Sequence, residues 1–455
     1  MRGVGEVMQN GRQRPGPDLS VVIPTHRQAH CLEPVLESLA RQTLPEEAFE
    51  VVVVEDPSEV SYEAAAERAL ELGFRFETLP GRAGRSATRN HAVNLAHGNV
   101  LLFLDGDCYA EPGLLESHWR FHKDAPGPRA ALGSRLEITS LGFAGRLMRG
   151  EAISAEERGR HCFDMRFPAG LPAEAVRLAM ETPWLYAYTN VSVPRALVTS
   201  VGGFDEQFGL QWGLEDIDLF YRVYVRMGRL PDAFVYDESM VAYHLPHYRN
   251  RGSEIGQFLG NEPYFRRKHA HFEVEPSVDL PDISAYQIRL YRQRVAQFTA
   301  SGAGRTDEST WRRVEELLST WPTPRVLYAG LGTADLPLPS GTITVDHGAP
   351  PSRSNEHVLG LSTGYPERAF DLVINVDLWR LLHWQDFCAH VSEALRIADE
   401  LLLIRTAQPG DRRIEIDGDP AADDRDLEYF LRALRSHVSV ITDRSETGAL
   451  LIRCR

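Results

Sequence analysis

Three nearly continuous apolar runs, at Leu19–Pro24, Phe49–Val54 and Val100–Leu104, are separated by stretches with helical spacing, and no other pattern narrows the fold as much. Runs this continuous leave no alternate face for water. Each therefore reads as a strand buried on both sides, the kind found in parallel sheets covered by helices. Leu32, Val35, Leu36 and Leu39 mark a first helix, the Ala-rich stretch 62–72 a second and residues 85–97 a third, with a short strand near Phe74–Phe76. Strand, helix, strand, helix, strand predicts an α/β domain in which ligands bind at the carboxyl ends of the strands. Asp56 and Asp105 fall at such ends.

Composition sets limits on partners. With 43% hydrophobic and 25% charged residues in 455, the chain can bury a substantial core without staples. Acids outnumber bases 64 to 49, giving a formal net charge of −15. That argues against broad nucleic-acid binding and against a surface drawn to anionic lipid. An anionic substrate would need a local basic cluster or a metal ion to hold it. The five cysteines are scattered and odd in number, so neither a disulfide framework nor a zinc knuckle is expected. The N-terminal stretch has no apolar signal core, and no run approaches the length of a transmembrane segment, so a cytoplasmic chain is the expectation.

Along the chain, residues 1–17 read as a loose tail and 18–272 as the main domain. Within it further helices are expected near 111–122 and 171–180, and from Glu215 through Arg226. Residues 273–320 read as a polar helical connector broken at Ser301–Gly304. A smaller α/β unit, 321–455, follows, with strands at Arg325–Ala329, Thr342–Val345, Phe370–Val376 and Glu400–Ile404, a helix over 384–397, and a last helix and strand pair.

Three clusters carry chemistry. Asp105 and Asp107 flank Gly106 just as a buried strand ends, offering two hard oxygen donors that suit Mg²⁺ or Mn²⁺ when a substrate diphosphate fills the other positions. Trp212-Gly-Leu-Glu-Asp216 opens a helix with acids; these are ordinary helix-start residues, and one of them is also placed to act as a general base. His244 and His247 follow an apolar approach and are candidate metal ligands or plain hydrogen-bonded histidines. The bases Arg249, Arg251, Arg266, Arg267 and Lys268 come soon after and are candidates for neutralising phosphate.

In order, Ser20-Val-Val-Ile-Pro-Thr25, Val51-Val-Val-Val-Glu-Asp-Pro-Ser58, Gly84-Arg-Ser-Ala-Thr-Arg-Asn90, Leu102-Phe-Leu-Asp-Gly-Asp107, Gly202-Gly-Phe-Asp205 and Trp212-Gly-Leu-Glu-Asp216 resemble the family 2 glycosyltransferases of the nucleotide-sugar-binding GT-A type. The Trp-Gly-x-Glu-Asp element and Tyr243-His244 are also similar to β-galactosyltransferases and bacterial chondroitin and hyaluronan synthases. The resemblance spans about residues 18–270. It implies a mixed sheet flanked by helices and inverting, metal-dependent transfer of a hexose or N-acetylhexosamine, on a UDP donor, to a hydroxyl of a glycan, peptide or small-molecule acceptor. It implies Pro24, Thr25 and Asp56 around the nucleoside, Arg89 near the diphosphate or the second aspartate, and Asp105 against ribose and metal. Asp107 and His244 would be metal ligands with His247 in reserve, Trp212 a substrate contact, Asp216 the base, and Glu215 the residue positioning the acceptor. One departure is Pro57, where the family commonly has Asp-Gly-Ser after the first acid.

Val326-Leu-Tyr-Ala-Gly-Leu-Gly-Thr-Ala334 resembles the first motif of class I S-adenosylmethionine methyltransferases, with Asp346 where an acid would meet a ribose. Tyr328 and Ala334 depart from that motif, which implies a degenerate Rossmann-like unit serving dimerisation or acceptor docking. Two other readings compete: a bifunctional glycosyl- and methyltransferase, and a silent nucleotide-sugar-binding scaffold. Retention of Asp105, Asp107, Glu215, Asp216 and His244 together argues against the scaffold.

Overall fold

A computed structural model describes residues 17–455 except 168–169, 277–280, 303, 407–414, 417–418, 421–428, 430 and 445–449. Residues 1–16 of the expected tail, and part of the expected last helix, lie outside the described residues. The chain divides into two compact units between Phe258 and Leu259.

In the first unit, β1 (Leu19–Thr25), β2 (Phe49–Glu55), β3 (Arg75–Thr78) and β4 (Val100–Phe103) run parallel in the order β3-β2-β1-β4. Val21, Ile23, Val51 and Val53 pack with Leu32, Val35, Leu36 and Leu39 of helix Ala29–Ala40 and with Ala65 and Ala69 of helix Glu63–Glu71. Helix Arg85–Leu95 packs on β1 and β2 as well, and Val22, Val52 and Val54 are also buried. Both faces of these strands are covered, which is why the runs do not alternate. Each such side chain contributes roughly 1.5–3 kcal/mol on leaving water.

Beyond β4 the sheet becomes mixed. β8 (Val191–Pro194) is antiparallel to β4, β6 (Ala130–Ile138) antiparallel to β8, and β9 (Phe234–His244) parallel to β6. β5 (Cys108–Ala110) closes the edge antiparallel to β9, and β7 (Cys162–Asp164) pairs with β6. Two reversals restore the original direction, so β6 and β9 run the same way as β4. The carboxyl ends of β1, β2, β4, β6 and β9 open on one edge, where Thr25, Asp56, Asp105, Glu137 and His244 stand. β1 has β2 on one side and β4 on the other, the point of an open α/β sheet where a crevice forms.

The second unit has a six-stranded sheet in the order Ile343–Val345, Val326–Ala329, Phe370–Val376, Ala398–Arg405, Leu450–Cys454, Val440–Arg444; the first four are parallel and the last two antiparallel to their neighbours. The stretch read as a connector forms helices Pro281–Ser301 and Glu308–Leu318, and both join this unit's core. Tyr291, Val295 and Phe298 pack with Leu327 and Val373; Trp311, Val314 and Leu318 pack with Val326, Tyr328 and Leu372. Their apolar residues are too thinly spread among charges to stand out in the sequence. The structure is thus an α/β mixed sheet flanked by helices plus a second, smaller sheet unit. No helix among the described residues is long and apolar enough to cross a membrane.

Candidate active site

At the ends of β1 and β2, Asp56 is buried and its carboxylate accepts the backbone N–H groups of Ala83 (2.7 Å) and Gly84 (3.2 Å). Gly84 adopts φ 86°, and a Cβ there would lie 2.3 Å from the Gly209 carbonyl oxygen. Only glycine fits, and it starts helix Arg85–Leu95 beside the acid. Thr25 shares a 2.9 Å hydrogen bond with the Tyr62 hydroxyl, which also accepts the Gln28 N–H. Pro24 is the residue before it on β1, and the His26 ring meets the Asp56 carbonyl oxygen at 2.8 Å.

The next group is a chain of opposite charges. Arg89, on helix Arg85–Leu95, donates from one guanidinium nitrogen to Glu215 (2.9 Å) and from another to Asp105 (3.1 Å). Burial disfavours the Arg89 charge, but Asp105, Glu215 and Asp216 overcome it and hold its pKa above the usual range. Glu215 is itself buried; Arg89 and Arg85 keep it below the ordinary carboxylate range against the cost of desolvation. Its Oε2 is buried with no hydrogen-bond partner among the described residues.

Asp216 behaves in the opposite way. Burial first, then the Glu215 charge beside it, push it up to about 7, with Arg89 opposing. Two neighbouring carboxylates are thus set apart, one firmly ionised and one titrating near neutrality. The local backbone explains their placement. Gly213 (φ 98°) leaves no room for a Cβ, which would meet Phe258 at 2.8 Å, and Leu214 follows at φ 76°. A left-handed leucine costs about 1–3 kcal/mol and persists because its buried side chain and the helix Glu215–Arg226 hold it. Two cations approach the Trp212 ring, Arg85 at 5.9 Å and Arg249 at 5.7 Å from its centroid.

The third group is a set of metal-ligating types. Asp107, His244 and His247 each present one ligand atom, all within 4.8 Å of one another. The Asp107 Oδ2 stands 3.5 Å from His244 Nε2 and 3.5 Å from His247 Nδ1, and it accepts from the Gln28 amide. Desolvation would raise Asp107, but the His244 hydrogen bond and the charges of His244, His247 and Arg135 hold it well below its ordinary value. Burial lowers His244, and its bonds to Asp107 and Glu137 more than restore it, leaving it raised. One carboxylate oxygen and two imidazole nitrogens fit Mn²⁺ and related divalent ions. Cys108 lies beside Asp107, but burial and the two aspartates push its thiol up, so it stays protonated.

The two aspartates read above as a pair therefore divide. Asp107 stands with both histidines, whereas the Asp105 carboxylate is engaged by Arg89 and lies outside the three-residue group among the described residues. The basic cluster divides too: Arg249 pairs with Glu254, while Arg266 meets Glu262 and Ser362, and Arg267 meets Glu356, inside the second unit. Sequence reasoning missed Gln28, Glu137, Arg135 and Arg85. The alternation Arg135-x-Glu137 at the end of an apolar strand was a readable signal, but nothing in the sequence says what it faces.

Residues 20–167 match the model of glycosyl transferase family 2. The chain is 30% identical, over 79% of its length and 90% of the relative, to a validoxylamine A glucosyltransferase of Streptomyces hygroscopicus subsp. jinggangensis. It is 29% identical, over 79% of its length and 84% of the relative, to one of subsp. limoneus. Among solved structures it is similar to S. aureus TarS 1–349, with a TM-score of 0.42 and 17% identity over 66% of this chain and 79% of that one. The chain belongs to the family 2 glycosyltransferases and is a glycosyltransferase.

Proposed function

We propose that the protein transfers a hexosyl group from a nucleoside-diphosphate sugar to an acceptor hydroxyl, with inversion and with a divalent cation held by Asp107, His244 and His247. The observation that carries this reading is the joint edge of the sheet. Asp56 and Thr25, the Arg89–Asp105–Glu215 chain, Asp216, and the Asp107–histidine group all belong to elements opening on it. Two N–H groups occupy Asp56, and a carboxylate has about four acceptor sites, so room remains for an N–H of a base. A bound cation would offset charge growing on the departing diphosphate. Asp216 takes the acceptor proton as the acceptor oxygen bonds the anomeric carbon. The bond from that carbon to the diphosphate oxygen breaks with its electron pair, and the configuration inverts. Glu215, kept ionised by Arg89 and next to Asp216 at the helix start, is the residue we assign to positioning the acceptor.

The relatives are named for glucosyl transfer and for validoxylamine A, which puts nucleoside-diphosphate glucoses and validoxylamine A first in the panel to test, with UDP-N-acetylhexosamines next. Purified protein with Mn²⁺ and each nucleotide sugar should release nucleoside diphosphate from one donor above all, and the anomeric configuration of the product, read by NMR, should be inverted. Release equal across donors, or a retained configuration, counts against the reading.

Two outcomes follow from the donor set and from Asp216. Two imidazole ligands suit Mn²⁺ better than Mg²⁺, which prefers oxygen throughout. After chelator treatment, Mn²⁺ should restore turnover at roughly a tenth of the Mg²⁺ concentration or less; equal half-saturation would remove the histidines from the ligand set. A base must be ionised to accept a proton, so kcat should level off above about pH 7 and fall tenfold per unit below it. A plateau extending down to pH 5 excludes Asp216 as the base.

The methyltransferase alternative is less well supported. In the second unit the glycine loop is filled by the chain itself: Leu331 donates to the Gly304 carbonyl (2.9 Å), and a Cβ on Gly332 would meet the Arg305 guanidinium at 2.7 Å. Asp346 spends its carboxylate on Thr333 and on the Gly348 N–H. We read this unit as a non-catalytic partner of the transferase, for dimerisation or acceptor docking.

A further inference from the structure

Resting on the proposed cation centre, we infer that Glu137 is a positioning residue that fixes the tautomer and ring orientation of His244. Glu137 and His244 stand side by side in the parallel register of β6 and β9, each at a carboxyl end. Side chains at paired positions point to the same face, and Glu137 Oε2 meets His244 Nδ1 at 2.9 Å. An imidazole that gives one nitrogen to a metal must carry its proton on the other, and the partner of that second nitrogen decides which is which. In the neutral ring, with Nδ1–H directed at Glu137, the lone pair lies on Nε2, the nitrogen 3.5 Å from Asp107 Oδ2.

Glu137 is held for this task. Its other oxygen accepts from Arg135 Nη1, two residues earlier on the same strand and hence on the same face. Arg135 is only 8% exposed and lies 5.7 Å from the centroid of Tyr188, a ring that also carries Arg166 at 4.4 Å. Tyr188, Arg135, Glu137, His244 and Asp107 thus form one connected row, with both Glu137 oxygens engaged. Among the described residues His247 has no second carboxylate of this kind: its Nδ1 faces both the Leu245 carbonyl (3.1 Å) and Asp107. The two imidazoles are oriented by different means: His244 Nδ1 meets the Glu137 carboxylate, and His247 Nδ1 meets a backbone carbonyl.

The test is Mn²⁺ binding to the full chain, measured by titration calorimetry and electron paramagnetic resonance, with Co²⁺ absorption as a reporter of ligand geometry. The protein itself, His244→Ala, Glu137→Ala and the isosteric Glu137→Gln are compared. Loss of an outer partner of a ligating histidine weakens metal binding about 10- to 100-fold. Both Glu137 variants should show that loss and an altered Co²⁺ spectrum, with thermal melting of the metal-free protein kept in Glu137→Gln. Unchanged Mn²⁺ affinity and Co²⁺ spectrum in Glu137→Gln overturn the inference, as does a lower melting temperature with affinity intact, which marks a structural role. If the unsubstituted protein binds no Mn²⁺, or His244→Ala binds it at full strength, the cation-centre reading falls first and takes this inference with it.

Discussion

Asp107→Ala should lose Mn²⁺ binding and cut glycosyl transfer about a thousandfold or more. Cation stabilisation of a developing phosphate charge is worth several kcal/mol, and each 1.36 kcal/mol is a factor of ten. Asp107 is the one carboxylate in the three-residue group, it lies between the two imidazoles, and Gln28 fixes its oxygen. Its removal leaves His244 on Glu137 and His247 on the Leu245 carbonyl, each still partnered, so the fold should survive. The measurement pairs steady-state transfer with calorimetric Mn²⁺ binding and a far-UV spectrum. A folded Asp107→Ala protein that keeps Mn²⁺-dependent turnover would remove the residue from the centre.

Asp216→Asn should lower kcat by about 10²–10⁴, the usual worth of a general base, while leaving donor and Mn²⁺ binding nearly unchanged. Asparagine keeps the shape and can still accept the Ile217 N–H that Asp216 Oδ1 accepts at 2.8 Å. It cannot take the acceptor proton, and the limb of the pH profile near 7 should vanish with it. Glu215→Gln should act otherwise. It removes the partner of a buried arginine, so its effect should include weaker donor binding through a disturbed Arg89. If Asp216→Asn changes donor affinity as much as kcat, the residue binds rather than catalyses. If the rate is unchanged, the base lies elsewhere.

Much of this site could be read before any coordinates. The apolar runs carried the strands, and their carboxyl ends carried Asp56, Asp105 and Asp107, because a buried strand must stop where charge begins. The helix from Glu215 was legible for a similar reason: glycine, then acids, at a helix start. What escaped was partnership. Asp105 and Asp107, two residues apart, looked like one ligand pair, yet Arg89 from a helix sixteen residues earlier claims the first. His247 looked like a reserve, yet its Nδ1 is as near Asp107 as His244 Nε2 is. Gln28 gave no local sign of function, and Glu137 only an alternation with Arg135 that does not say what it faces, since their role lies wholly in what they touch.

The chain's own order of residues determined the elements, the buried strands and the residue types gathered at one sheet edge, because hydrophobic periodicity and helix-start chemistry are local. The tertiary structure alone decided which acid meets which base, which carboxylate is pushed up to about 7, and which glutamate orients a histidine. Those outcomes depend on distances of about 3 Å between strands and helices far apart in sequence. They depend equally on burial, which raises Asp216 while Arg89 keeps its neighbour Glu215 charged.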